Sequence, residues 1–242
     1  MEEKTRGISG STLKIIALIT MLIDHAGVCL VESRVNFATM NYLFGTFIYS
    51  KDPTAMAYII MRSIGRMAFP IFCFLLVEGF RHTKDIKKYA IRLLIFAFIS
   101  EVPFDLALQY GRVGLEYQNI FFTLFIGLIT IYLMDMYRDK RVLAVVIFIT
   151  GCYLAHVFRT DYGYNGIVAI ALFYLARDSK IKQVFANLIG FLFEITHWGM
   201  AYLSIPFIYL YNGKRGINLK YIFYIFYPAH LLILYLIKAF IL

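Results

Sequence analysis

The sequence predicts an all-α, polytopic membrane protein: a bundle of about eight to ten transmembrane helices, some short or proline-kinked, forming a single domain over residues 1–242. Three observations lead there. Of 242 residues, 61% are hydrophobic and only 16% charged, and the mean hydropathy of +0.71 lies far above that of ordinary soluble domains. Nearly continuous apolar stretches recur along the chain at lengths near the ~20 residues that a helix needs to cross a hydrocarbon layer. These stretches lack the in-out alternation of barrel strands, and backbone in lipid must satisfy its own hydrogen bonds, which leaves helices.

The first span, 12–31, follows Lys4, Arg6 and Lys14 as a cleavable signal would. Asp24 and His25 interrupt its apolar core and no small-x-small cleavage site follows, so it reads as a retained helix. Further spans are expected at 55–80, 88–107, 119–137, 141–158, 163–176, 183–197, 201–212 and 221–241. The region 183–212 fits a tight hairpin, a pair of half-helices or one strongly tilted helix. Pro70 removes the amide that would bond the Arg66 carbonyl, and Pro103 does the same for Ile99, so a kink is expected beside the charges of both spans. Pro228, just before His230, repeats the pattern in the last span. The amphipathic "FATMNYLFGTFIY" in the loop 32–54 is suited to the membrane surface. Cys29, Cys73 and Cys152 all lie in apolar stretches, which suggests packing rather than a disulfide framework or a zinc motif.

A net charge of +9 is compatible with nucleic-acid binding, but the cations sit in short clusters between spans, where they set topology instead. Seventeen Lys and Arg fall in one alternate set of connections, around Lys14, Lys84, Arg138, Arg177 and Arg215, against four in the other: Arg34, Lys51, Arg112 and Arg159. The positive-inside rule then puts the N-terminus in the cytoplasm of a multi-pass cell-membrane protein surrounded by lipid. No nucleic-acid partner and no metal site are expected.

Charge inside the spans is the informative feature. An Asp or Arg at a helix centre costs about 2.5–3.5 kcal/mol on insertion scales, so each needs a partner or a wet cavity. Span one carries Asp24 and His25; span two carries Arg62, Arg66 and Glu78; span three carries Glu101 and Asp105. With a rise of ~1.5 Å per residue, Asp24, His25, Arg62 and Glu101 fall roughly 10 Å below the outer edge and Arg66 one turn deeper. Asp161 and His197 lie close to the same layer. Ala17, Thr20, Asp24 and Gly27 form a narrow small-residue stripe that turns Asp24 into the protein, with His25 about 100° away at the edge of that seam. Arg62, Arg66 and the carboxylates also suit interhelical ion pairs that fix the bundle. A lone imidazole beside a carboxylate in apolar surroundings has acid-base chemistry available to it.

The segments "LKIIALITMLIDHAG", "RSIGRMAFPIFCFLLVEGFRHT", "LLIFAFISEVPFD", "QNIFFTLFIGL", "DYGYNGIVAIALFYL" and "YPAHLLIL" resemble, in order, the TraX family. The resemblance implies an integral membrane protein of the type required for N-terminal acetylation of F-pilin. It also implies kinship with transmembrane acyltransferases such as heparan-alpha-glucosaminide N-acetyltransferase. In that enzyme an intramembrane histidine lies at the acetyl-transfer site, and acetyl-CoA donates from the cytosolic side to an acceptor across the membrane. His25 is the matching position. On this reading His25 is the base or acetyl carrier, with Asp24 orienting its ring. Arg62 or Arg66 serves the oxyanion or the acceptor, and Glu101 or Asp105 holds an acceptor ammonium. Asp161, His197 and His230 are secondary candidates, and Arg81, Lys84 and Lys88 are candidates for the phosphates of CoA. The acceptor is an extracytoplasmic peptide N-terminus or a glycan, through an amine or a hydroxyl. A proton-coupled transporter or flippase, using the same intramembrane charges, is the competing reading.

Overall fold

A computed structural model describes residues 7–43, 46–109, 111–195, 197–218 and 220–241. Lys4 and Arg6 of the topology count lie outside the described residues. Helix α1 (Gly10–Ala26) starts where the Ser9 hydroxyl accepts the Thr12 amide at 3.3 Å, and it runs on through a wide π-type turn at Gly27–Val31. The stretch expected at the membrane surface forms a short antiparallel hairpin, β1 (Met40–Leu43) with β2 (Thr46–Ser50).

The expected span 55–80 is two helices. Helix α2 (Pro53–Gly65) begins on an Asp52 cap with proline in its first turn and stops at Arg66, and α3 (Ala68–His82) restarts two residues later. The break puts Pro70 in the first turn of α3, where backbone amides have no intrahelical partner, so the missing N–H costs no helix bond. Helix α4 (Ile86–Leu108) opens on Asp85, whose carboxyl accepts the Lys88 amide at 3.0 Å, and it carries Pro103 inside. That amide, first among the groups around it, holds the Asp85 carboxyl below the usual carboxylate range. Helices α5 (Ile120–Met136), α6 (Arg141–Val157) and α7 (Gly163–Leu175) follow at the expected places.

Between 183 and 212 the chain makes half-helices. Helix α8 (Lys180–Gly190) rises only about 16 Å and α9 (Ser204–Tyr209) about 9 Å, so neither crosses the ~30 Å hydrocarbon layer by itself. Helix α10 (Lys220–Ile241) completes the chain, with Pro228 inside it.

The bundle is built by α1 on α2 and α3, α4 on α5 and α10, and α5, α6 and α7 on one another, with α8 against α7. Among the described residues, three stretches are long and apolar enough to cross a membrane: Gly10–Arg34, Pro53–His82 and Tyr221–Ile241. Helix α4 is long enough but carries too much charge to count among them. The outward faces are apolar: α4 exposes Ile91, Ile95, Phe98 and Val102, and α6 exposes Val142, Val145, Val146, Ile149 and Tyr153. A soluble protein would hide such faces; a membrane bundle turns them to lipid. At the basic end of the bundle the chain start is tied to the turn before α10 by Ile8 N–H to Leu210 O and Ser11 N–H to Arg215 O, each 2.9 Å.

Candidate functional site

Asp24 is the hub of a buried ion network. It receives Arg62 Nη1 at 2.8 Å and Arg66 Nη2 at 3.1 and 3.2 Å. Helical spacing explains the pair, because Arg62 and Arg66 at i and i+4 share one face. The seam stripe explains the approach: Gly65 of α2 lies against Asp24, and a Cβ there would overlap the aspartate side chain. Gly65→Ala is therefore expected to push α1 and α2 apart. It should lower the thermal midpoint of the detergent-purified protein, where an exposed Gly→Ala in a helix would raise it by about 0.5–1 kcal/mol of stability.

Arg66 also reaches Glu194 at 3.7 Å, and Glu194 meets His197 at 2.9 Å. Glu194 escaped the sequence reading, although its i, i+3 spacing to His197 was the available signal. The carboxylates of α4 point elsewhere. Glu101 takes the side-chain amide of Asn119, and Asp105 accepts the Gly114 amide at 2.9 Å. Neither lines the two cavities described below.

The ring of His25 is held by a group from the other end of the chain. His25 Nδ1 lies 2.7 Å from His230 Nε2, and His230 Nδ1 lies 2.7 Å from the Phe226 carbonyl oxygen. The two rings are coplanar within 5° with centroids 5.0 Å apart. That separation is what a 2.7 Å in-plane bond between five-membered rings gives, so they meet edge to edge rather than face to face. His230 thus occupies the orienting position expected of Asp24, whose oxygens serve the two arginines.

Two cavities among the described residues lie end to end in the bundle. The one farther from the basic end, called outer for that reason alone, measures about 300 Å³ and is lined by Asp24, His25, Arg62, Arg66, Tyr117, Asp161 and Tyr162, among others. The inner one, about 560 Å³, opens toward the basic end past Lys14, His82, Lys84, Arg92 and Arg215. The lining residues run in order along each helix. On α1 they pass from Gly10, Lys14 and Leu18 to Met21, then to Asp24, His25 and Val28. Met21, Phe72, Ile120 and Tyr227 face both spaces and form the wall between them. His25 stands at that wall, its centroid 6.1 Å from that of Tyr227.

Asp161 reaches the outer cavity because Gln118 and Asp161 bridge the α4–α5 and α6–α7 connections: Gln118 N–H meets Arg159 O at 3.0 Å and Asp161 N–H meets Gln118 O at 2.8 Å. Its carboxylate accepts the Tyr117 hydroxyl at 2.9 Å. Tyr162, next in line, sits at φ 62°, a left-handed conformation costly for a bulky residue, with its ring stacked on Phe69 at 3.8 Å.

Of the phosphate candidates, Lys84 lines the inner cavity. Arg81 is engaged by Glu78 at 2.9 Å and by the Arg177 carbonyl at 3.0 Å, and Lys88 pairs on the surface with Asp85 at 3.3 Å. The cavity supplies instead Lys14, which lies 4.8 Å over the Phe223 ring, together with Arg92 and Arg215. Among the described residues none of these three takes part in an ion pair. Sequence reading counted Lys14 and Arg215 only as topology signals.

The chain is similar to a probable fimbrial assembly protein FimC, serogroup H1, of Dichelobacter nodosus. It is 26% identical over 261 aligned positions that cover 96% of each chain. No solved structure matches. The family model described as TraX protein matches residues 9–238, nearly the whole chain and every element of the site just described. The chain belongs to the TraX family.

Proposed function

We propose that this protein is a membrane acetyltransferase that moves an acetyl group from cytosolic acetyl-CoA, through the bundle, to an acceptor amine or hydroxyl on the other side. The observation that carries the reading is the pair of cavities that meet at one wall with His25 beside it. The pantetheine arm would enter the inner cavity from the basic end, with Lys14, Lys84, Arg92 and Arg215 taking the phosphates and the thioester brought up to the wall. The acceptor would enter the outer cavity, where Asp161 offers a carboxylate to an ammonium and Arg62 and Arg66 offer positive charge to the developing oxyanion. The pantetheine arm, filling the inner cavity up to Met21, Phe72, Ile120 and Tyr227, would displace water from the thioester, which would otherwise hydrolyse.

The N-terminus is cytoplasmic in this reading, which the charge asymmetry supports. Similarity to a protein named for fimbrial assembly supports an extracytoplasmic polypeptide, such as a pilin-like subunit, as the acceptor.

The test is transfer of labelled acetyl from acetyl-CoA by protein reconstituted in vesicles, with amine and hydroxyl acceptors supplied on the opposite face. Lys14→Gln combined with Arg215→Gln should raise KM for acetyl-CoA roughly tenfold, since each charge-assisted phosphate contact contributes on the order of 1.5–3 kcal/mol, discounted here for partial exposure. kcat should be little changed. Proton-driven uptake of a solute without any acetyl transfer would replace this reading with the carrier.

A further inference from the structure

We infer that His230 is the positioning residue of the site, and that it acts by fixing which nitrogen of His25 carries a hydrogen. The inference rests on the acetyl-transfer reading above and deepens it. It follows from the direction of two hydrogen bonds. A carbonyl oxygen only accepts, so the His230 nitrogen 2.7 Å from Phe226 O must be Nδ1–H. In the neutral ring Nε2 of His230 is then a bare acceptor, and the 2.7 Å bond to His25 is donated by His25 Nδ1–H. His25 is left with an unprotonated Nε2 on the ring edge away from His230, and His25 lines the outer cavity.

Free imidazole prefers no such arrangement strongly enough to guarantee it, and Asp24, its oxygens taken by Arg62 and Arg66, does not supply it. The order is carried by one residue of α10 acting across to α1, two elements 205 positions apart in the chain. Packing supports the pose: the His230 ring lies over Phe226 at 4.8 Å, and Tyr227 presents an edge to both histidines, at 6.1 and 5.7 Å.

The chemistry then balances without another reagent. An acceptor that arrives as an ammonium first gives one proton to water through the Asp161 carboxylate; His25 Nε2 then takes a proton from the neutral acceptor's N–H or O–H as that atom bonds to the acetyl carbon. The C–S bond breaks, and the departing thiolate takes the proton from Nε2 and leaves as the thiol. While His25 is doubly protonated, its Nδ1–H remains on His230 Nε2, which spreads the charge toward the Phe226 carbonyl. His230 touches neither substrate.

The experiment is nitrogen NMR of detergent-purified protein labelled at its five histidines, assigned by single substitutions, beside the acetyl-transfer assay. In the wild type, His25 should show a protonated Nδ1 and a bare Nε2. His230→Leu should give a mixed or Nε2-protonated His25 and lose on the order of 10²–10⁴-fold in kcat, between the range a positioned base contributes and the ~10⁴ lost in a wrong-tautomer catalytic triad. His230→Gln should restore both, to within roughly tenfold of wild type, because its side-chain oxygen can accept from His25 while its amide donates to Phe226 O. A wild-type His25 protonated at Nε2 would overturn the inference, and that reading needs no variant. So would a folded His230→Leu that kept the wild-type tautomer, or a His230→Gln as inactive as His230→Leu despite the wild-type tautomer. If the wild type transferred no acetyl at all, the acetyltransferase reading would fall, while the tautomer measurement would still decide whether His230 sets His25.

Discussion

His25→Ala is expected to remove nearly all of the proposed acetyl transfer while the protein remains folded in detergent. The loss should be about 10²–10⁴-fold, the range that a positioned base contributes, and it should appear in kcat because the group acts on a proton in flight. KM for acetyl-CoA should stay near its wild-type value, since the phosphates and pantetheine arm are assigned to the inner cavity, on the other side of Met21 and Tyr227. Replacement by alanine removes a ring that is only 9% exposed, so an elution profile and a thermal midpoint must accompany the assay. His25→Gln, closer in volume, serves as the control for packing. Unchanged kcat in either variant, measured on folded protein, would remove His25 from the chemistry.

Arg66→Leu will have the largest effect on stability. Arg66 joins two buried carboxylates, Asp24 and Glu194, whose side chains are 9% and 8% exposed. Removing it leaves Asp24 with Arg62 alone and Glu194 with His197 alone. Breaking one partner out of a buried pair costs about 3–5 kcal/mol, because the remaining charge stays desolvated. The measure is the thermal midpoint in detergent, and the diagnostic is a double-mutant cycle. Asp24→Asn combined with Arg66→Leu should be less damaging than the sum of the two singles, because no uncompensated carboxylate remains at position 24. Additive losses would mean that the pair is not coupled in the way its 3.1 Å separation suggests.

The sequence made the membrane bundle and its charged layer legible because both are written in composition. A polar group in an apolar span stands out on cost alone, and i, i+4 spacing places Arg62 and Arg66 on one face. The Asp24 seam was readable for the same reason, as a stripe of small residues at helical spacing. Partners were harder. Which carboxylate the arginines choose depends on how α1 and α4 rotate against α2, and Glu101 and Asp105 have the same helical spacing as a true pair but turn toward Asn119 and Gly114. His230 was legible only as a secondary candidate, a histidine two residues after a proline; its bond to His25 joins α1 to α10, and no local pattern encodes that. The break of the second span at Arg66 was half legible, since Pro70 announces a disturbance but not whether it becomes a kink or a new helix start. Lys14 and Arg215 were hidden by a double meaning, because a cation near the end of a span reads as a topology signal whether or not it also faces a cavity.

The wall of Met21, Phe72, Ile120 and Tyr227 has an electrical consequence. Where two aqueous spaces meet from opposite sides of a bilayer, nearly all of the transmembrane voltage falls across whatever separates them. Each elementary charge moved through that drop is worth about 2.3 kcal/mol per 100 mV. Three apolar side chains and one phenol ring make that layer a thin insulator beside His25. In the proposed reaction a neutral acetyl group would cross it without electrical work, whereas a hydrated ion would meet both the voltage and the cost of shedding its water. The same few residues that bring donor and acceptor within reach of each other would therefore also keep the protein from discharging the membrane in which it sits.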